Sequence, residues 1–145
     1  MTGNATGSVA APASGHRLRR VAGTGLIATF VAMVAVTLAA ALARAVGVDF
    51  EIPDGGETIP LPGFAVVTGF FSVVGIVLAV ALLRWSAHPA RRFVWTAGSL
   101  TAISLVPPLL TGANIATTTA LLGLHLVAAT VMIPTLARSL RTRTD

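Results

Sequence analysis

The sequence contains no cysteine, no tyrosine and no lysine among its 145 residues. The missing cysteine excludes disulfides, thiolate nucleophiles and cysteine-ligated zinc or iron–sulfur sites. The missing tyrosine removes a common interfacial anchor and a phenolic proton donor. Charge is scarce as well: 10% of the residues are charged, against roughly 25% in soluble domains. No acid falls inside a long apolar run, which argues against a proton antiporter built on a buried carboxylate. There is no P-loop, no glycine-rich dinucleotide fingerprint after a strand and no H-E-x-x-H motif. No acid lies within reach to orient His125, so a serine hydrolase lacks one of its three parts.

What the chain does have is apolar residues, 54% of the total. A soluble fold of this length would have to hide that surface from water. Lipid removes the requirement, because an apolar helix face needs no cover there. Four apolar runs, at about 21–46, 64–83, 93–111 and 115–136, meet the roughly 20 helical residues needed to cross a hydrocarbon core about 30 Å thick. The fold class expected is an all-α membrane protein: a four-transmembrane-helix bundle with a short extracytoplasmic β-hairpin-like loop between helices 1 and 2. The membrane domain spans residues 18–137. A Gly/Ala/Ser/Thr/Pro-rich disordered tail precedes it (1–17), and a basic tail follows it (138–145). Ala43-Arg44-Ala45 has the A-x-A form of a signal-peptide cleavage site. The run before it is longer than the usual apolar region of about 7–15 residues, which favours a retained span. Only Gly112-Ala113-Asn114 separates the last two runs, so those helices should be antiparallel neighbours. No repeat relates the two halves, so an inverted-repeat transporter is not signalled.

Charge sets the orientation. Arg17, Arg19 and Arg20 precede the first span, Arg84, Arg91 and Arg92 lie between the second and third, and Arg138, Arg141 and Arg143 follow the fourth. Four spans put all three groups on one side, and the positive-inside rule makes that side cytoplasmic. The expected location is the cell membrane with both termini cytoplasmic. The net charge of +5 therefore points to phospholipid head groups and not to nucleic acid. Trp85 and Trp95 sit at the inner ends of the second and third spans, where tryptophan commonly anchors at the interface.

The opposite side holds Asp49, Glu51, Asp54 and Glu57. Val48, Phe50 and Ile52 alternate with Asp49 and Glu51, and Pro53-Asp54-Gly55-Gly56 follows. Period-two alternation beside such a turn predicts a short hairpin. Pro60 and Pro62 restrict its second arm to an edge-like form. The four acids offer oxygens to a hard cation, but their spacing does not match an EF-hand loop. A solvated loop with topology-biased charge is the simpler reading, and no metal site is assigned. Arg44 is expected to extend toward Asp49 or Glu51 and out of hydrocarbon.

The segments Arg44-Ala45-Val46-Gly47-Val48-Asp49-Phe50-Glu51-Ile52-Pro53, Ser104-Leu105-Val106-Pro107-Pro108-Leu109 and His125-Leu126-Val127-Ala128-Ala129 resemble an actinobacterial family of four-span membrane proteins, domain of unknown function 6069. The resemblance covers about residues 18–137. It implies four helices and an actinobacterial envelope, and it carries over no activity.

Three constellations remain for chemistry. His125 lies at the middle of the fourth span, where an ionisable group is costly and commonly functional. Thr118 shares its face. On the third span Ala97, Thr101, Ser104, Pro108 and Thr111 form a small and polar stripe, and Pro107 and Pro108 cannot donate to the carbonyls of Ile103 and Ser104. The simplest expectation is that neutral His125 donates across to Ser104, Thr101 or a freed carbonyl, a bond that averages about 0.6 kcal/mol. A proton relay, a small-ligand site or haem ligation shared with a second subunit are the sharper readings. The acidic loop is the second constellation. The third is a pair of small-residue stripes, Ala28, Ala32, Ala35, Ala39 and Ala43 on the first span and Ala65, Gly69, Ser72, Gly75 or Ile76, and Ala79 on the second. They should pack the bundle or face another copy or partner. The functional expectation is a non-enzymatic structural or accessory membrane protein that acts by association, with no cofactor. The alternative is a small transporter or binder of an apolar or cationic molecule at Thr101, Ser104, Thr118 and His125. A lipid-acting enzyme ranks last.

Overall fold

The computed structural model describes residues 13–53 and 55–141. The expected tail up to residue 12, Asp54 in the outer loop, and residues 142–145 with Arg143 lie outside the described residues. In chain order the elements are α1 (Ala13–Ala45), β1 (Glu51–Ile52), β2 (Glu57–Thr58), α2 (Leu61–Trp85), α3 (Pro89–Ser104), α4 (Val106–Leu110) and α5 (Ile115–Arg141). Helices α1, α2, the α3–α4 pair and α5 are each long and apolar enough to cross a membrane. Their outer surfaces carry Leu26, Phe30, Val34, Leu38, Val66, Phe70 and Val77 exposed. A surface of that kind is stable in lipid and not in water. The chain is a multi-pass integral membrane protein.

Helix α1 packs against α2 and α5, and α3 packs against α5 and α2, with α2 also meeting α5 across the bundle. The short connections make successive helices antiparallel, so one end of the bundle collects the arginine-rich segments and the other the hairpin. Two buried clusters stack along the axis. The one at the arginine-rich end joins Val21, Ala28, Ala32, Ile76, Ala79, Phe93, Met132, Leu136, Ala137 and Leu140. The one at the hairpin end joins Val36, Ala40, Phe50, Phe64 and Leu124.

The helices run past the ends that hydropathy predicts. Helix α1 starts at Ala13, so Arg17, Arg19 and Arg20 are helical. Helix α5 continues to Arg141 because Ala137 and Leu140 extend its buried stripe onto the cluster of Val21 and Phe93. Apolar windows end where charge begins, but the helical hydrogen-bond ladder does not. The third span is broken at Leu105, whose N–H reaches back to the carbonyls of Thr101 (3.1 Å) and Ala102 (3.3 Å). Pro107 and Pro108 have no N–H with which to continue α3, so the chain restarts as α4. Asn114 then caps α5: its Oδ1 accepts from the Thr117 N–H at 2.8 Å.

The stripe on α1 follows a different register from the expected one. Its most buried positions are Val21, Ala28, Ala32, Val36 and Ala40, while Ala35, Ala39 and Ala43 are half-buried. On α2 the expected face holds, with Ser72, Ile76 and Ala79 buried. Two glycines permit the closest helix approaches. A Cβ on Gly25 would lie 2.6 Å from Ile76 Cγ1 and 3.2 Å from Leu136 Cδ2, and one on Gly69 would lie 3.1 Å from Met33 Sδ. A side chain at Gly25 has no room beside Ile76, and one at Gly69 fits only if the Met33 thioether gives way.

Helix α1 ends in a Schellman arrangement. Gly47 takes φ 96, Val48 N–H donates to Ala43 O (3.0 Å) and Gly47 N–H to Arg44 O (3.0 Å). This reversal sends the chain back over the bundle end. Glu51 then pairs with Thr58 and Ile52 with Glu57 in an antiparallel two-strand hairpin, as the alternation predicts.

Candidate functional site

The mid-membrane stripe is assembled from α3 and α5, but its polar groups do not meet as expected. His125 is half-buried, and its Nδ1 lies 2.8 Å from the Leu121 carbonyl of its own helix. A carbonyl only accepts, so Nδ1 carries the proton in this geometry and Nε2 is left as an acceptor. Ser104 Oγ donates to Thr101 O at 2.7 Å, and Thr101 Oγ1 donates to Ala97 O at 2.8 Å. Thr118 Oγ1 reaches Ala113 O at 3.4 Å. The expected bond from His125 to Ser104, Thr101 or a freed carbonyl is therefore replaced by local bonds one turn back. In hydrocarbon a serine, threonine or histidine finds the nearest carbonyl on its own helix without ordering a second one. One further polar group stands apart. Thr117 is fully buried, and its Oγ1 has no hydrogen-bond partner.

The hairpin end is built around Phe50 and Arg44. Phe50 is fully buried and meets the Phe64 ring edge-on, with centroids 4.9 Å apart and planes at 61°. It sits at φ 52, a left-handed conformation that costs a non-glycine residue about 1–2 kcal/mol. Burial of the ring holds it there. Arg44 does not pair with Asp49 or Glu51. Its Nη2 donates to the Ile59 carbonyl, and its guanidinium lies 6.0 Å from the Phe50 ring centroid. The physical reason is the turn at Gly47. It brings the β2-side backbone over the helix end, so a carbonyl and an aromatic face sit nearer the guanidinium than the carboxylates. Asp49, Glu51 and Glu57 are all exposed. Among the described residues no three histidine or acidic side chains gather as a metal site.

At the arginine-rich end Trp85 closes α2 and Trp95 stands in the second turn of α3, both exposed. Sequence reasoning missed Gly25, Thr117 and the Arg44–Phe50–Ile59 contact. Gly25 differs from Gly23 only by facing the bundle, and neither hydropathy nor spacing separates two glycines so close on an alanine-rich helix.

The family model described as Family of unknown function (DUF6069) matches residues 16–142. No curated protein and no solved structure matches the chain.

Proposed function

The chain belongs to the DUF6069 family, and from its surface we propose a non-enzymatic structural or accessory protein that acts by association with another membrane helix. The observation that carries this is an asymmetry of the lipid-facing surface. Helices α1 and α2 turn bulky aliphatic and aromatic side chains outward, Leu26, Ile27, Phe30, Val66, Val67, Phe70 and Phe71 among them. Helices α3 and α5 also expose Trp95, Leu100, Ile103 and Leu126, but interleave them with Thr96, Gly98, Ser99 and Ala102, and with Ala116, Thr119, Gly123 and Thr130. Small and hydroxylated residues gain little from lipid, whereas they let a partner backbone approach closely and supply hydrogen bonds to it. The partner is a second copy or a different membrane protein. The arginine-rich end faces the cytoplasm of the cell membrane by the positive-inside rule, with both termini on that side.

The alternative is a transporter or binder at His125, Ser104, Thr101 and Thr118. The free Nε2 of His125 is the one atom of that stripe that favours it, since the other polar side chains are engaged on their own helices. Purification in mild detergent followed by native mass spectrometry separates the two. A stoichiometric protein partner or a defined oligomer, lost on Gly98→Leu and Gly123→Leu substitution, is the expected result. A monomer that retains a small molecule would overturn it. Cysteine labelling at Glu57 and Ser86 checks the orientation, with opposite sides expected.

A further inference from the structure

The arginine-rich end carries a groove between the start of α3 and the end of α5, with a volume of about 440 Å³. His88, Arg91 and Arg141 line it together with Val94, Trp95 and Leu140. We infer that this groove seats the phosphodiester head group of an anionic phospholipid, with the upper part of an acyl chain against Trp95 and Val94.

Four observations converge on that occupant. First, two guanidiniums from different helices line one cavity, and neither has a hydrogen bond or ion pair among the described residues. Asp49, Glu51 and Glu57 lie in the segment at the opposite end of the bundle, so their charge does not neutralise this rim; the other two acids, Asp54 and Asp145, lie outside the described residues. Second, the guanidinium fork matches phosphate oxygens in pairs, which a lone ammonium does not. Third, the lining is graded. Leu140 is 3% exposed and forms an apolar floor, while Trp95 is 70% exposed at the level where indoles meet head groups. A charged rim over an apolar floor fits an amphiphile better than a free ion. Fourth, the volume lies within the roughly 300–1,000 Å³ of small-molecule sites. The N-terminus of α3, with His88 at its cap and no side-chain cap bond, adds a positive dipole end to the rim. This inference needs the membrane setting and the groove; it does not depend on the association reading.

The test uses the full chain carrying Trp85→Phe, so that Trp95 is the remaining tryptophan. It is placed in phosphatidylcholine vesicles and titrated with phosphatidylglycerol brominated high on its acyl chains. Saturable quenching of Trp95 is expected. Arg91→Gln with Arg141→Gln should raise the midpoint about 150-fold, the factor given by losing two charge-assisted contacts at about 1.5 kcal/mol each. Both residues are exposed, so the fold survives the change. Arg91→Lys with Arg141→Lys should fall between, since charge remains without the fork. Arg17→Gln with Arg19→Gln, at the same end of the bundle, should leave the midpoint in place. Brominated phosphatidylcholine that quenches equally well would overturn the proposal. So would an unchanged midpoint in the Arg91/Arg141 variant, or an equal shift in the Arg17/Arg19 variant. Displacement by millimolar inorganic phosphate would make the site one for free phosphate and refute the lipid assignment.

Discussion

Substituting Gly25 by alanine should destabilise the bundle, although alanine is the better helix former. Two opposing terms set the size of the effect. The intrinsic helix preference favours alanine by about 1 kcal/mol. Against it, the new methyl would sit 2.6 Å from Ile76 Cγ1, 3.0 Å from its Cδ1 and 3.2 Å from Leu136 Cδ2. Cγ1 is close to the backbone and moves only if the whole Ile76 side chain rotates. Leu136, fully buried, blocks the other direction. Overpacking of this kind costs about 1–3 kcal/mol. With no flexible end to yield, the upper part of that range applies, and a net loss of about 2 kcal/mol remains after the propensity gain. Gly23 is the internal control: nothing lies within 4 Å of its would-be Cβ, so Gly23→Ala should be neutral or gain up to about 1 kcal/mol. Reversible unfolding in mixed micelles of increasing denaturing detergent, followed by circular dichroism, measures both. A double variant tests the cause. Ile76→Ala alone leaves a cavity and costs about 2–5 kcal/mol, and the Gly25 methyl should partly fill that space, giving a favourable coupling of about 0.5–3 kcal/mol. If Gly25→Ala proves as stable as Gly23→Ala, or the pair is strictly additive, the three-helix approach at Gly25 is wrong.

Phe50→Ala should cost about 3–5 kcal/mol, the range for emptying an aromatic core site, and it should open the outer loop to added protease while the spans stay helical. Arg44→Gln should lose about 1–3 kcal/mol because the Ile59 carbonyl loses its charged donor, whereas Asp49→Asn and Glu51→Gln should leave the same unfolding midpoint; an equal loss from either acid would restore the ion pair. Thr117→Val removes a buried hydroxyl without a partner and keeps its shape, so it should be neutral or stabilising by up to about 1 kcal/mol, and a clear loss in the detergent titration would reveal a partner. His125→Leu gives up a bond confined to one helix and should cost less than about 1 kcal/mol. A larger loss by the same assay would show that the ring couples α5 to another helix.

The four spans, the hairpin and the segregation of charge were legible because each is local in the chain. Hydropathy over a window needs no knowledge of neighbours, and the alternation from Val48 to Ile52 is visible residue by residue. Contacts across the fold were not legible in the same way. Whether Arg44 turns to Glu51 or to the Ile59 carbonyl depends on the reversal at Gly47, and that reversal is set by backbone geometry that composition does not display. His125 and Ser104 share a suitable chemistry, but chemistry alone cannot rank a bond across helices above one to the preceding turn. The alanine-rich α1 offers small residues on every side, so its true inward face, through Val36 and Ala40, could be found only once α2 and α5 were in place. The groove beside Arg91 and Arg141 joins residues 50 positions apart, from the two helices that the Gly112 turn folds together.

The berth of Phe50 has a consequence for assembly. Its walls come from Val36 and Ala40 on α1, Phe64 on α2 and Leu124 on α5. A chain that emerges from the ribosome amino end first supplies three of those walls long before the last one. Until the final span arrives, the Leu124 side of that berth is open. The ring is thus enclosed on every side only in the finished bundle.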